Sequence, residues 1–229
     1  MLALTAAGCT PTSVTEQGKA IYDTYNLFLY IAAVVFAVVS GLVIWSVIRY
    51  RRRGDELPQQ THGNTALELT WTLIPTLIVL LLFVVTIRTQ DKVLAPSARP
   101  ALTVDVTAFQ WSWRFTYEGS GAEVVGSRDN VPEMVVPVGQ PVRIKLRSAD
   151  VVHSFYVPRT LFKRQAIPGV TSEFDLTFQE VGVYPGQCTQ FCGLAHAQML
   201  FRVRVVSQGE FQSWLATATR SGAPGRPGT

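Results

Sequence analysis

Between residues 188 and 199 the chain places two thiols, an imidazole and a thioether: Cys188, Cys192, His196 and Met199. Thiolate and thioether are soft donors, and with imidazole they suit copper better than hard cations. The stretch lies between a strand-like segment ending near Tyr184 and another starting at Leu200. It therefore reads as a loop whose side chains can fold toward a common point. His153 follows Asp150-Val151-Val152 at the start of a further strand-like segment and is the natural remaining ligand. Two other readings compete. Cys188 and Cys192 could form a disulfide, which leaves the offsets of His196 and Met199 unexplained. Zinc favours four Cys or His ligands with C-x2-C spacing, and no second such pair is present. Met199 alone would count for little; the joint set points to copper.

The elements that must carry these residues show in the periodicity. From residue 100, Leu102, Val104 and Val106 alternate with Thr103, Asp105 and Thr107. Val142, Ile144 and Leu146 alternate with Arg143, Lys145 and Arg147, and Phe201, Val203 and Val205 with Arg202 and Arg204. Period-2 patterns mark strands with one buried face. Gly119, Gly121, Gly139 and Gly169 punctuate them, so residues 100–207 are expected to form an all-β sandwich. Ser207 and Glu210 have capping-box spacing ahead of Phe211, Trp214 and Leu215, which predicts a short helix. Residues 208–229 are thus a short helix followed by a loose Gly/Pro-rich tail.

Before residue 90 the pattern differs. The chain is 48% hydrophobic and only 16% charged, and the apolar excess lies in this part. Residues 25–48 contain no formal charge, and as a helix they extend about 36 Å against a hydrocarbon core of about 30 Å. Residues 67–87 extend about 31 Å, with Glu68 their one charge and Pro75 in the early turns. Residues 22–90 are accordingly read as a transmembrane hairpin. The net charge of +4 does not signal a nucleic-acid partner, because Arg49, Arg51, Arg52 and Arg53 cluster between the spans, with Asp55 and Glu56 following. Short Arg-rich loops stay cytoplasmic, which places the N-terminus and the sandwich on the outer side of the cell membrane. Trp45, Tyr50 and Trp71 fit interfacial anchors. In residues 1–21, Ala6-Ala7-Gly8-Cys9 resembles the end of a bacterial lipoprotein signal, and makes Cys9 a candidate for lipidation.

The pattern C-x3-C-G-x2-H-x2-M with an upstream D-V-V-H-S, behind a two-helix hairpin, resembles subunit II of haem-copper cytochrome c oxidases over roughly residues 22–206. The resemblance implies a two-helix transmembrane hairpin plus an all-β cupredoxin-like sandwich holding the binuclear copper centre CuA. Cys188 and Cys192 would bridge the two coppers. His153 and Met199 would complete one copper, and His196 with the backbone carbonyl of Gln190 the other. A cupredoxin with one Cys would instead make a mononuclear blue site. Gln110-Trp111-Ser112-Trp113 resembles the family's Q-W-Y-W patch, in which Trp111 would pass the donor's electron to copper; a buried strand aromatic is its other reading. Glu68-Leu69-Thr70-Trp71-Thr72-Leu73-Ile74-Pro75 resembles the start of the family's second helix, where the Glu lies at the entrance of a proton pathway into subunit I. A plain interfacial Glu is the competing reading.

The chain also departs from the family. Gln190 stands where a Glu usually helps bind magnesium, and as a neutral, poorer ligand it weighs against that ion. Gln165, in Lys163-Arg164-Gln165-Ala166-Ile167-Pro168-Gly169, replaces a usual Asp. The expected function is the electron-accepting subunit of a proton-translocating cytochrome c oxidase. It would relay electrons to the haem of subunit I, which reduces oxygen, and would have no oxygen-reducing site of its own. Subunits I and III, membrane lipid, and cytochrome c or a membrane-bound donor complex are the implied partners. A membrane-anchored copper-delivery protein is the alternative.

Overall fold

The computed structural model of the chain describes residues 12–52, 54, 60 and 62–221. Cys9, Arg53, Asp55, Glu56 and the tail from residue 222 lie outside the described residues. Two compact units are present: residues 23–91, and a second made of residues 12–22 with 92–221.

The apolar runs fall in two helices, α1 (Glu16–Arg49) and α2 (Thr65–Leu94). Their 34 and 30 residues correspond to about 51 and 45 Å, longer than a hydrocarbon core of about 30 Å. Their apolar side chains stay uncovered, with Phe36 74% and Val47 67% exposed, a surface that calls for lipid or a partner protein. The hydroxyls of Thr70, Thr72, Thr76 and Thr86 each donate to the carbonyl four residues back, so α2 presents no unpaired hydroxyl at these positions. At the start of α2 the Asn64 side chain accepts from Leu67 N–H, and Glu68 Oε1 accepts from Asn64 N–H, a reciprocal cap. Within this unit Thr24 and Thr89 join the two helices through their hydroxyls at 2.7 Å.

The second unit is built on ten strands. In chain order they are β1 (Leu102–Phe109), β2 (Ser112–Tyr117), β3 (Glu123–Val125), β4 (Glu133–Pro137), β5 (Pro141–Ser148), β6 (His153–Val157), β7 (Phe162–Ala166), β8 (Ser172–Thr177), β9 (Gly182–Cys188) and β10 (Leu200–Val206). They form two five-stranded sheets, ordered β3-β2-β1-β5-β8 and β4-β10-β9-β6-β7. Pairs β1·β5 and β4·β10 are parallel and the others antiparallel. The expected alternation is present: Val104, Val106, Val142, Ile144 and Leu146 are fully buried, while Arg143 and Lys145 point outward.

Aromatic rings fill the space between the sheets. Phe155 stacks on Phe201 at 4.5 Å, and Trp113 meets both edge-on at 5.9 and 5.0 Å. Gly186 opposite Phe201 leaves room for that ring, since a Cβ there would sit 2.3 Å from it. Tyr117 OH donates to the carbonyl of Val135 at 3.0 Å and accepts from its N–H at 2.7 Å, tying β2 to β4 across the sandwich. Helix α3 (Gln208–Ser221) starts at the expected capping box, with Glu210 Oε2 accepting from Ser207 N–H at 3.1 Å. It lays Phe211 and Trp214 against Tyr117.

The N-terminal segment is part of this unit. Val14 N–H donates to Arg159 O, Gln179 N–H donates to Val14 O, and Thr177 N–H donates to the Gln17 side chain. Val14 is 1% exposed. Thr15 forms a single bridge to Phe178. One bridging residue generates no period, which is why residues 12–22 carry no sequence pattern linking them to a sandwich more than 80 positions away.

Candidate metal centre

Four elements converge on one corner of the sandwich. His153 opens β6 and Cys188 closes β9, and these strands pair antiparallel with Phe155 opposite Cys188. The β9–β10 connection then carries Gln190, Cys192, a 3-10 turn at His196–Gln198 and Met199. Cys188 N–H donates to Met199 O at 3.0 Å, which closes that connection into a loop. The β1–β2 turn supplies Gln110 and Trp111.

The donor atoms gather as the spacing requires. The sulfurs of Cys188 and Cys192 are 4.0 Å apart, and both cysteines are free rather than joined in a disulfide. His153 Nδ1 lies 3.9 Å from Cys188 Sγ, and His196 Nδ1 lies 3.4 Å from Cys192 Sγ. Met199 Sδ is 3.7 Å from Cys192 Sγ, and the Gln190 carbonyl is 3.2 Å from Cys188 Sγ. His153 and Met199 are fully buried, Cys188 and Cys192 nearly so, and His196 and Gln190 half-buried. His153, Cys188 and Cys192 alone place their ligand atoms within 4.8 Å of one another, close enough to hold a metal ion. Three sulfurs and two imidazoles fit copper by their softness.

Electrostatics distinguish the two thiols. Burial opposes the Cys188 thiolate, but hydrogen bonding with His153, Gln190 and Ser154 outweighs it and draws the thiol below its ordinary value. Burial, reinforced by the negative charge at Cys188, pushes the Cys192 thiol up to about 12. Cys192 thus keeps its proton in the protein without metal, and a metal that takes both sulfurs must displace it.

Behind the donors, Asp150 Oδ1 is 2.7 Å from His153 Nε2, and its Oδ2 accepts from Gln110 N–H at 2.7 Å. Gln110 Nε2 and Trp111 Nε1 both donate to the Cys192 carbonyl, at 2.8 and 3.1 Å. Neither role is carried by a spacing pattern, although Asp150 stands in the D-V-V-H-S string. Trp111 is half-buried beside the loop; Trp113, two residues on, is the wholly buried one. Phe191 and Leu194 on the loop are 78% and 92% exposed.

Gln190 and Gln165 meet as well. Gln165 Nε2 donates to Gln190 Oε1 at 3.4 Å, linking the loop to β7. This neutral amide pair does not fit a magnesium ion, which binds through carboxylates and water. Glu68 belongs to the helical unit, where it is exposed and its Oε1 caps α2.

Residues 120–206 match the family described as cytochrome c oxidase subunit II, periplasmic domain, and residues 9–88 match its transmembrane domain. A probable cytochrome c oxidase subunit 2 of Streptomyces avermitilis is 33% identical over 270 residues, covering 96% of this chain and 85% of that protein. The cytochrome c oxidase subunit 2 of Corynebacterium glutamicum is 31% identical, covering 90% and 74%. Among solved structures, the periplasmic domain of subunit II of cytochrome oxidase (CoxB) from Bradyrhizobium japonicum superposes with a TM-score of 0.51 at 36% identity. That match covers 55% of this chain and 98% of the other.

Proposed function

Because the chain belongs to the cytochrome c oxidase subunit II family, a membrane subunit of an oxidoreductase complex, we propose that it is the electron-accepting subunit of a proton-translocating oxidase. The supporting observation is the gathering of Cys188, Cys192, His153, His196, Met199 and the Gln190 carbonyl around two sulfurs 4.0 Å apart. Two copper ions held there would supply a one-electron couple, taking an electron from a donor and yielding it to the haem of subunit I. The residues' task is to hold both sulfurs in a buried, rigid frame, so that little rearrangement accompanies the change of charge. Burial also favours a resident metal over one passed on, which counts against the copper-delivery alternative.

Trp111 is proposed as the route by which the electron arrives, since its indole is hydrogen-bonded to the Cys192 carbonyl. Glu68 is proposed at a proton pathway into subunit I, and subunit III as a further neighbour. The neutral Gln165–Gln190 pair supports a centre that does not use Gln190 for magnesium. The Arg cluster after α1 supports an outward-facing sandwich in a bacterial cell membrane. Lipidation of Cys9 is tested by the mass of the native N-terminus, where an unmodified Met1 removes it.

The donor is proposed to be one that does not rely on a strongly acidic face, a membrane-bound complex before a basic cytochrome c. Three acids of the sandwich have partners within the unit: Glu118 pairs with Lys145 at 2.6 Å, Glu123 lies 3.9 Å from Arg114, and Asp150 contacts His153.

Copper stoichiometry and electron paramagnetic resonance on the reconstituted full chain test the whole reading. Two coppers sharing one unpaired electron are expected. A single copper, or one a chelator readily removes, overturns the binuclear centre.

A further inference from the structure

Asp150 stands where the turn after β5 meets the turn between β1 and β2, and each of its oxygens serves a different partner. Oδ1 accepts from Val151 N–H at 2.6 Å and faces His153 Nε2 at 2.7 Å. Oδ2 accepts from Gln110 N–H at 2.7 Å. The carboxylate is itself held in place. Asp150 N–H donates to Ser148 Oγ at 3.2 Å, the Ser148 hydroxyl donates to Val151 O, and Ala149 N–H donates to Ala108 O at 2.9 Å.

An ionised carboxylate only accepts hydrogen bonds. With Asp150 opposite it, His153 must carry a proton on Nε2, which makes Nδ1, on the side of Cys188 and 3.9 Å from the sulfur, the atom left to meet a metal. His153 is fully buried, so no water substitutes for that partner without opening the corner. The other oxygen sets the β1–β2 turn. Fixing Gln110 N–H fixes the peptide leading into Trp111, and both side chains of this pair reach the Cys192 carbonyl. The two arms therefore end on different groups at this corner: one on a metal ligand, the other on the indole.

We propose that Asp150 is a positioning residue for the relay, orienting His153 toward the metal while holding the Trp111 turn against the Cys192 loop. The proposal rests on the copper reading of the site. Side chains behind metal-bound histidines set ring orientation and tautomer, and replacing them costs about 10–100-fold in metal affinity.

The test uses the full chain in detergent. In the metal-free wild type, the ring 15N shifts of His153 are expected to show a proton on Nε2; a ring with no proton on Nε2 overturns the proposal, and this readout needs neither a variant nor copper. In Asp150→Asn, the new amide NH2 faces either Gln110 N–H alone or both Val151 N–H and His153 Nε2–H, so at least one of the three N–H groups loses its acceptor. Copper affinity is then expected to fall about 10–100-fold, with a changed copper hyperfine pattern in what still binds. Wild-type affinity and an unchanged spectrum in this variant overturn it. If the wild type fails to take up a copper pair, the relay reading fails on that result alone, while the proton on His153 Nε2 still reports whether Asp150 orients the ring.

Discussion

The indole Nε1 of Trp111 donates to the backbone carbonyl of Cys192 at 3.1 Å, so the ring is fastened to the residue whose sulfur lies in the candidate centre. Gln110 Nε2 donates to the same carbonyl at 2.8 Å. The next residue, Gly193, has φ +115, a conformation that side chains rarely adopt, and a Cβ there would press within 3.3 Å of the indole. The close approach of turn and loop thus depends on Gly193, and the aromatic is held by directional bonds as well as by packing.

Trp111→Phe keeps a ring and removes the N–H. Gln110 still holds the carbonyl, so copper content is expected to stay at the wild-type level. Reduction by the physiological donor is expected to slow about tenfold, ~1.4 kcal/mol of barrier. Stopped-flow reduction checks this, and an unchanged rate removes Trp111 from the electron route.

The cluster of candidate donors was legible because four soft or imidazole groups lie in one short loop, and chemistry constrains such a set more tightly than fold does. The spans were legible for a similar reason: only lipid or a partner tolerates apolar runs of that length. The hydrogen bonds behind the ligands were not. Asp150 reads in the sequence as one of several acids on the outer domain, and only the fold brings it to His153 and to Gln110, 40 positions away. The same holds for Gln165 and Gln190, two separate departures from the family pattern that face each other across 25 positions. Val14 and Thr15 were equally hidden, because a strand-like contact of one residue has no periodicity to detect.

Tyr117→Phe deletes a buried hydroxyl that serves both backbone groups of Val135. Leaving these buried groups unpaired is expected to cost about 1–3 kcal/mol, read by denaturant unfolding of the β unit. The effect depends on pH. Burial raises the Tyr117 hydroxyl well above its ordinary 10.0, so the unfolded chain gives up this proton first as pH climbs. The wild type's stability from this residue is complete below pH 10 and declines above it, and the variant has no such decline. The gap between them should narrow above about pH 10; a gap that stays constant through that range contradicts the assignment.

Gly186→Ala puts a methyl 2.3 Å from the ring of Phe201, which packs on Phe155 and Trp113. Trp113 in turn lies 6.4 Å from the His153 ring. The ring cannot swing away without displacing that cluster, so a loss of about 1–3 kcal/mol is expected. Thermal unfolding checks it, and a melting temperature equal to wild type shows that the corner has slack the packing does not reveal.

Glu68→Gln separates two tasks that one carboxylate can perform. Glu68 Oε1 accepts from Asn64 N–H at 3.3 Å while Asn64 Oδ1 accepts from Leu67 N–H, so the side chain helps to start α2. The amide oxygen of glutamine can also accept from Asn64 N–H, and the helix should therefore survive the substitution. What glutamine cannot do is carry an exchangeable carboxyl proton. If Glu68 stands at a proton pathway, the assembled oxidase carrying Glu68→Gln should lose turnover while its copper spectrum and helix content remain those of the wild type. Wild-type turnover leaves Glu68 with the cap alone. Glu68→Ala serves as the counterpart: it removes the cap as well, so an added loss of helix stability, typically about 1 kcal/mol, marks the structural share.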